Sequence, residues 1–444
     1  MAGGTWSSQN KTLPGVYIRF RSTGTDGIAV GERGTVTICE PLSWGPVAQV
    51  TEVTPDRNLI PVTGYDITHP RNRFLREIFK GTNRTAPPAR VLLFRPTASG
   101  SAQASVTAGP LTATAKYPGV RGNDITVAVT ALTDPADAFQ VSTVVDGEAV
   151  DTQTAKTVEE LADNGWVTFS GTGALEAAAG SPLEGGVDGT VQAAAYTAYT
   201  AAVEPRKFDV MIYDGTESAV QDALLAFIKR MNDENGQYCQ LCAAGLDNPD
   251  TRYAINVNSP AVLSDGTELT REQVTWWAGG ASAGARYNES LTYAQYPGAA
   301  STELLTTAQY IQELEAGHLV LFADNGVVRV QQDINSLVTT TEDIGAVFRK
   351  NRVVRLCASI ANDIYAQFEA NYIGVVNNNE TGRARFKAAI VGYLLDIQDG
   401  QGIQNFTADD VTVEPGEAID AIVVRLAIQP VDAVEKIYMT VEVA

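Results

Sequence analysis

Apolar and polar residues alternate most regularly at the two ends of the chain. In VEKIYMTVEVA, Ile437, Met439, Val441 and Val443 fall on one face and Tyr438, Thr440 and Glu442 on the other. That period of two predicts a half-buried strand running to the last residue. LPGVYIRFR repeats the pattern near the start, setting Val16, Ile18 and Phe20 against Tyr17, Arg19 and Arg21. A third such segment, AIDAIVVRLAIQP, carries Ile422, Val424, Leu426 and Ile428 in register. Two terminal strands, each apolar on one face, each need a sheet to complete. If that sheet belongs to a neighbouring copy, the chain is the subunit of a polymer.

Between the ends the period changes several times. Residues 1–26 read as an extended arm, with Pro14-Gly15 introducing its strand. Over 27–96, GTVTICEPLSWGP and ARVLLFRP are strand-like and flank RNRFLREIFKG, a short helix opening behind Pro70 and stopped at Gly81. This predicts a small N-terminal α+β domain. Over 97–189 the composition shifts to Ala, Thr, Gly, Val and Asp. ITVAVTAL and FQVSTVVDG are strands there, Asp146-Gly147 is a hairpin turn, and TVEELADNG is a short helix. That stretch reads as a β-sandwich-like insertion with an acidic surface.

Over 190–341 strands and helices alternate. KFDVMIYDG, YCQLCAAG and YAINVNSPAVL are strands, and ESAVQDALLAFIKRMNDENG is amphipathic, with Ala223, Leu224, Phe227, Ile228 and Met231 on one stripe. Thr270 and Gln273 form a capping box ahead of a helix, TTAQYIQELEAG is another helix, and Asn325-Gly326 turns a hairpin. Such alternation implies a largely parallel sheet covered on both faces. Over 342–444 a long amphipathic run, a second helix TGRARFKAAIVGYLLDIQDG and the alternating strands predict an α+β domain. The fold class is therefore α/β multidomain.

At 444 residues the chain has room for roughly three domains, each with its own core. A net charge of −20 argues against a DNA- or RNA-binding surface and against anionic membranes as partners, while leaving room for a basic protein partner. The sequence contains no run long and apolar enough to span a bilayer, and its start lacks the basic and apolar regions of a signal peptide. Synthesis and residence in a cytosol are expected, and the sparse cysteines suit that compartment.

Candidate chemistry is thin. His69 and His318 are the only histidines, and His318 reads as a polar residue at a strand entrance. There is no nucleophile elbow, phosphate loop or zinc-helix motif. Cys239 and Cys242 form a C-x-x-C, but within a strand positions i and i+3 face opposite sides, so two core thiols are expected instead of a redox pair or half a zinc site. Asp409-Asp410 reads as a solvated turn. No catalytic residue, metal or cofactor is predicted. The remaining signal is basic: Arg383, Arg385 and Lys387 start a helix in an acidic chain, where their charge opposes the helix dipole. They are either a solvated helix end or a contact to an acidic partner.

LPGVYIRF, AKYPGVRGNDITV, VVNNNETGRARFKAAIVGYLLDIQDGQGIQNF and VTVEPGEAIDAIVVRLAIQPVDAVEKIYMTVEV, in this order and spacing, resemble the contractile tail sheath proteins of bacteriophages and phage-tail-like bacteriocins. The likeness is greatest to the Gram-positive-type myophage and defective-prophage group and covers nearly the whole chain. The resemblance implies a sheath domain, an outward-facing sandwich, a subtilisin-like but non-catalytic middle domain and a C-terminal domain lining a tail tube. It implies a homo-oligomer of hexameric rings stacked as a helix, with residues 13–21 and 436–444 as arms and 420–429 as the receiving strand. Arg383, Arg385 and Lys387 become candidate contacts to the tail tube protein. Baseplate and tail terminator proteins are further implied partners, with no nucleic acid and no membrane insertion. It also implies a virion tail assembled in the host cytoplasm, and a metastable extended form whose contraction drives the tube through a cell envelope without ATP. The rival readings are an α/β hydrolase with a β-sandwich module and another structural polymer, either a surface layer or a sheath of a type VI-like secretion system.

Overall fold

The structure, a computed structural model, describes residues 33–442, with 28, 30 and 31 and the short strands Ala2–Gly4 and Gly15–Tyr17. The chain divides into two units, Met1–Gly31 with Ile360–Val431, and Glu32–Ser359 with Asp432–Ala444.

The larger unit is built on a seven-stranded sheet. In spatial order its strands are His318–Leu319, Ala254–Val257, Gln240–Ala244, Val210–Tyr213, Thr35–Cys39, Arg90–Phe94 and Val50–Val53. All neighbours run parallel except the last pair. The strands are near-continuous apolar runs because both faces are covered. Val36, Ile38, Leu93, Ile212, Cys242 and Ile255 point to one core, which the helices Arg73–Ile78 and Arg271–Gly284 close. Leu92, Phe94, Met211, Leu241 and Ala243 point to the other, under Ala195–Val203 and Ser218–Asp233. Helix Arg271–Gly284 lies close because its inner face is small: a Cβ on Gly279 would sit 2.5 Å from Ile212, and one on Gly280 would sit 2.1 Å from the Ile78 carbonyl oxygen.

The stretch expected to form its own small α+β domain thus gives three strands to the sheet of the middle region. Thr35–Cys39 lies between Arg90–Phe94 and Val210–Tyr213. Two further differences are local. Ala223 is exposed, and the buried stripe of its helix is Val220, Gln221, Leu224, Phe227, Ile228, Met231 and Asn232. YAINVNSPAVL breaks at Pro260, so Ala261–Leu263 leaves the main sheet and pairs with Glu268–Leu269 and Ala299–Thr302. The capping box at Thr270 and Gln273 is present, and both hairpin turns have the left-handed residues they need, Asp146 (φ 54) with Gly147 (φ 84) and Asn325 (φ 52) with Gly326 (φ 74).

The insertion is a β-sandwich. One sheet runs Glu148–Ala155, Phe139–Val145, Ile125–Ala131 and Ala178–Pro182, the other Val167–Gly171, Leu111–Ala115 and Ser105–Ala108. Leu111, Ala113, Ile125, Val127, Val141 and Val167 form its core, joined by Trp44 from outside the insertion. The helix expected at TVEELADNG is a single turn, Val158–Glu160. Its polar residues capture the backbone instead, Asp163 accepting from the Phe169 N–H and Asn164 from those of Trp166 and Val167.

The smaller unit packs the end of helix Asn351–Asn371 against helix Glu380–Asp399. The rings of Phe368, Tyr372 and Phe386 cluster there with centroids 4.7–6.0 Å apart. Val411–Pro415 and Ile422–Leu426 form an antiparallel hairpin, and Ile403–Gln404 pairs with Gln429–Pro430.

Candidate functional site

In an open parallel sheet a reaction site would lie where strand order reverses, at the carboxyl ends of the strands. Here that point falls between Thr35–Cys39 and Val210–Tyr213, and the next residues are Glu40 and Asp214. Their side chains share a hydrogen bond, and Asp214 accepts from Trp276 Nε1 at 2.9 Å. Burial, then the Asp214 charge, pushes the Glu40 carboxyl well above its ordinary range, and burial raises Asp214 as well. The pair therefore holds a proton between two carboxyls. The buried Cys39 thiol lies beside the pair, but burial, then the Glu40 and Asp214 charges, pushes it up as well, the opposite of what an activated nucleophile needs. His69 stacks on Tyr65 at 3.9 Å, and His318 Nδ1 lies 2.6 Å from Glu313 at its strand entrance. The sequence reading missed the acid pair, whose signal was a carboxylate directly after each of two buried strands.

Cys239 packs in one core and Cys242 in the other, both free, and burial pushes both thiols up, Cys39 likewise. Asp410 closes a capping box with Thr407 in a short turn that holds Asp409. Among the described residues no cluster of three or more potential metal ligands occurs, and no helix is long and apolar enough to cross a membrane.

The polymerisation residues divide between paired and uncovered backbone. Val16 and Tyr17 lie in Gly15–Tyr17, which pairs in parallel with Ala2–Gly4; Ile18 and Phe20 lie outside the described residues. Over the described part of the C-terminal segment expected as a strand at 436–444, no strand is formed within the chain. Residues 433–442 join no ladder, and Ile437, Met439 and Val441 are 79%, 78% and 72% exposed. An alternating segment without a sheet to pair with has nothing to hold it as a strand. Val443 is outside the described residues. Ile422, Val424 and Leu426 do lie on a strand, but it stops at Leu426, leaving half-buried Ile428 beyond its end. That hairpin is two-stranded, so among the described residues the outer edge of Ile422–Leu426 carries no partner strand.

The basic residues do not form one patch. At 100° per residue, Arg383 and Lys387 share a helix face while Arg385 lies on the opposite one, exposed. Arg383 is half-buried, donates to Asn378 Oδ1 at 3.0 Å, and lines a groove of about 680 Å³ with Phe368, Tyr372, Val375, Ile419 and Ile422.

Four family models match in succession: the tail sheath protein Gp18 domain III N-terminal region over 33–85, the phage tail sheath protein beta-sandwich domain over 98–188, the phage tail sheath protein central domain over 189–336 and the phage tail sheath C-terminal domain over 343–444. The chain is 35% identical to the phage-like element PBSX protein XkdK of Bacillus subtilis, over the full length of both. It superposes on the crystal structure of a sheath tail protein from Desulfitobacterium hafniense with a TM-score of 0.86 and 39% identity, covering 96% of this chain and 99% of that one. The sheath complex of an extracellular contractile injection system in its contracted state shares the fold, with a TM-score of 0.54 at 12% identity, over 98% of each chain.

Proposed function

Because the chain belongs to the phage tail sheath family, we propose that it polymerises as stacked hexameric rings around a tail tube through exchange of its terminal strands. It is a structural protein, not an enzyme, and such proteins belong to phage tails or phage-like particles. The observation that carries the proposal is the pairing of opposites in one chain: an alternating C-terminal segment with its apolar face uncovered, and a two-stranded hairpin with an open edge. A strand added to that edge satisfies both, because backbone bonds give affinity and alternate side chains give register. Such an interface is heterologous and propagates instead of closing on a two-fold axis.

In this reading 1–26 and 436–444 are arms, and 27–96 and 190–341 form the sheath body, the latter subtilisin-like in topology only. Residues 97–189 face outward, and the C-terminal domain 342–444, which ends in the C-terminal arm, receives arms and faces the tube, with Arg383, Arg385 and Lys387 as candidate tube contacts. Baseplate and terminator proteins fix the ends of the polymer. Contraction is the passage from a metastable extended lattice to a contracted one, driven by contacts that differ between them and not by nucleotide. Negative-stain electron microscopy of the full-length chain beside truncations lacking 1–21 or 436–444 tests this. Tubes from the full chain alone are expected; tubes of the same geometry from both truncations would exclude strand exchange.

A further inference from the structure

The chain is pinned at both ends by a carboxylate, just where each arm begins. Asp363 Oδ2 accepts the Gly31 N–H at 3.0 Å and the Tyr393 hydroxyl at 2.8 Å. The approach is so close that a Cβ on residue 31 would lie 2.2 Å from Asp363 Oδ1, and Ile28 just upstream is buried. These residues all belong to the unit of Met1–Gly31 and Ile360–Val431.

At the other end Glu435 Oε1 accepts from Thr292 Oγ1 at 2.8 Å, and Oε2 accepts from Gln332 Nε2 at 2.6 Å and from Lys350 Nζ. Asp432 lies 4.0 Å from the same ammonium. Burial opposes ionisation of Glu435, but the bonds from Lys350, Gln332 and Thr292 outweigh it and hold its carboxyl below the usual range. These partners all belong to the unit of Glu32–Ser359 and Asp432–Ala444. From Lys436 onward every described residue is exposed.

We propose that Asp363 and Glu435 are the roots of the two arms and that the roots are crossed. The N-terminal arm is fixed to the unit made mainly of C-terminal sequence, and the C-terminal arm to the unit made of N-terminal and middle sequence. This rests on the arm reading above and adds which body carries each arm. Any displacement of one unit against the other then changes the separation of the two roots without loosening either attachment. A neighbour held by one arm follows one unit, and a neighbour held by the other arm follows the second. Asp363 and Glu435 are positioning residues, acting through the segments they hold.

Paired spin labels in the full-length chain test the roots directly, with Cys357→Ser as background and the labelled chain diluted in unlabelled chain. Labels at Thr440 and Gln312 report the C-terminal root; labels at Val30, exposed beside Gly31, and Gln401 report the N-terminal one. Glu435→Ala should broaden the first distance distribution about twofold and leave the second unchanged, because a local tether opens without global unfolding. Asp363→Ala should do the reverse. The charge swap Lys350→Glu/Glu435→Lys should restore the first distribution, and Tyr393→Phe, which spares the Gly31 bond, should leave the second narrow. Equal broadening of both distributions by either alanine variant, or no broadening at all, overturns the crossed roots. Polymer formation is scored separately by microscopy. A chain that shows the crossed pattern but never polymerises refutes strand-exchange assembly alone, and one that polymerises without the pattern refutes the roots alone.

Discussion

The guanidinium of Arg121 lies 4.3 Å from the centroid of the Tyr65 ring and ties the β-sandwich to the α/β core. Asp146 receives its fork at 2.8 and 2.6 Å, and its Nε donates to the Gly64 carbonyl at 2.9 Å. Trp44 reinforces the joint, entering the sandwich core 4.8 Å from Trp166 and 5.3 Å from Tyr117. The sandwich is therefore bolted to the core by a cation, its ring and a shared tryptophan. Arg121→Ala should cost about 2–3 kcal/mol in urea unfolding, the sum of a cation–π contact and charge-assisted bonds. Arg121→Lys should recover only part, since it keeps the charge and loses the fork. An unchanged midpoint in Arg121→Ala would place the joint elsewhere.

Glu40→Gln should stabilise the chain at alkaline pH. A carboxyl whose folded pKa is raised holds its proton more tightly in the native state. Its stability contribution is complete below the ordinary glutamate value of 4.5 and falls as pH rises from there towards the folded value. Asp214, raised in the same way, adds to the slope. The urea midpoint of the natural chain should therefore decline as pH rises above the ordinary carboxylate range, and Glu40→Gln should flatten that decline. Parallel pH curves for the two proteins would show that the Glu40 carboxyl is not raised in the folded chain.

Arg355 and Asp333 form an ion pair at 2.6 Å whose side chains are 0% and 1% exposed. Asp333 also accepts from Asn351 Nδ2 and the Leu291 N–H. Asp333→Ala strands a guanidinium in the interior and should cost about 3–5 kcal/mol, visible as a lowered thermal midpoint. Removing both charges in Asp333→Ala/Arg355→Met should return much of that loss. A double variant as unstable as the single one would mean that the pair matters for its geometry and not for its charge.

Thiol titration separates core cysteines from reactive ones. Cys39, Cys239 and Cys242 are buried with their thiols pushed up, and Cys357 is half-buried. A disulfide reagent should modify these three at least about 100-fold more slowly in the native chain than in guanidinium chloride. Rapid native modification of Cys239 and Cys242 would revive a redox role.

What the sequence disclosed was local. The Thr270 capping box, the turns at Asp146-Gly147 and Asn325-Gly326, and the opposite sides taken by Cys239 and Cys242 all depend on neighbours within a few residues. What it hid was partnership. TVTIC and VMIY are apolar on both faces, so nothing in either run names its neighbour, and the two halves of one sheet read as two domains. Ala223 went astray because a methyl group weighs little in an apolar stripe. The basic run looked like a patch in one dimension, and the helix turned Arg385 away from Arg383 and Lys387. Glu435 gave no signal, since its partners Thr292, Gln332 and Lys350 are distant in sequence. The alternating ends announced a face to be covered, and alternation cannot say whose sheet covers it.

The central place of Thr35–Cys39 in the sheet has a consequence for biosynthesis. One of its two neighbours, Val210–Tyr213, comes off the ribosome roughly 170 residues later, on the order of 10–30 s at ordinary elongation rates. Through that interval the nascent chain carries an unpaired apolar strand edge, while the sandwich between the two has all its strands and can fold first. The newborn subunit is therefore most prone to wrong pairing midway through translation, and chaperone demand should peak there instead of after release.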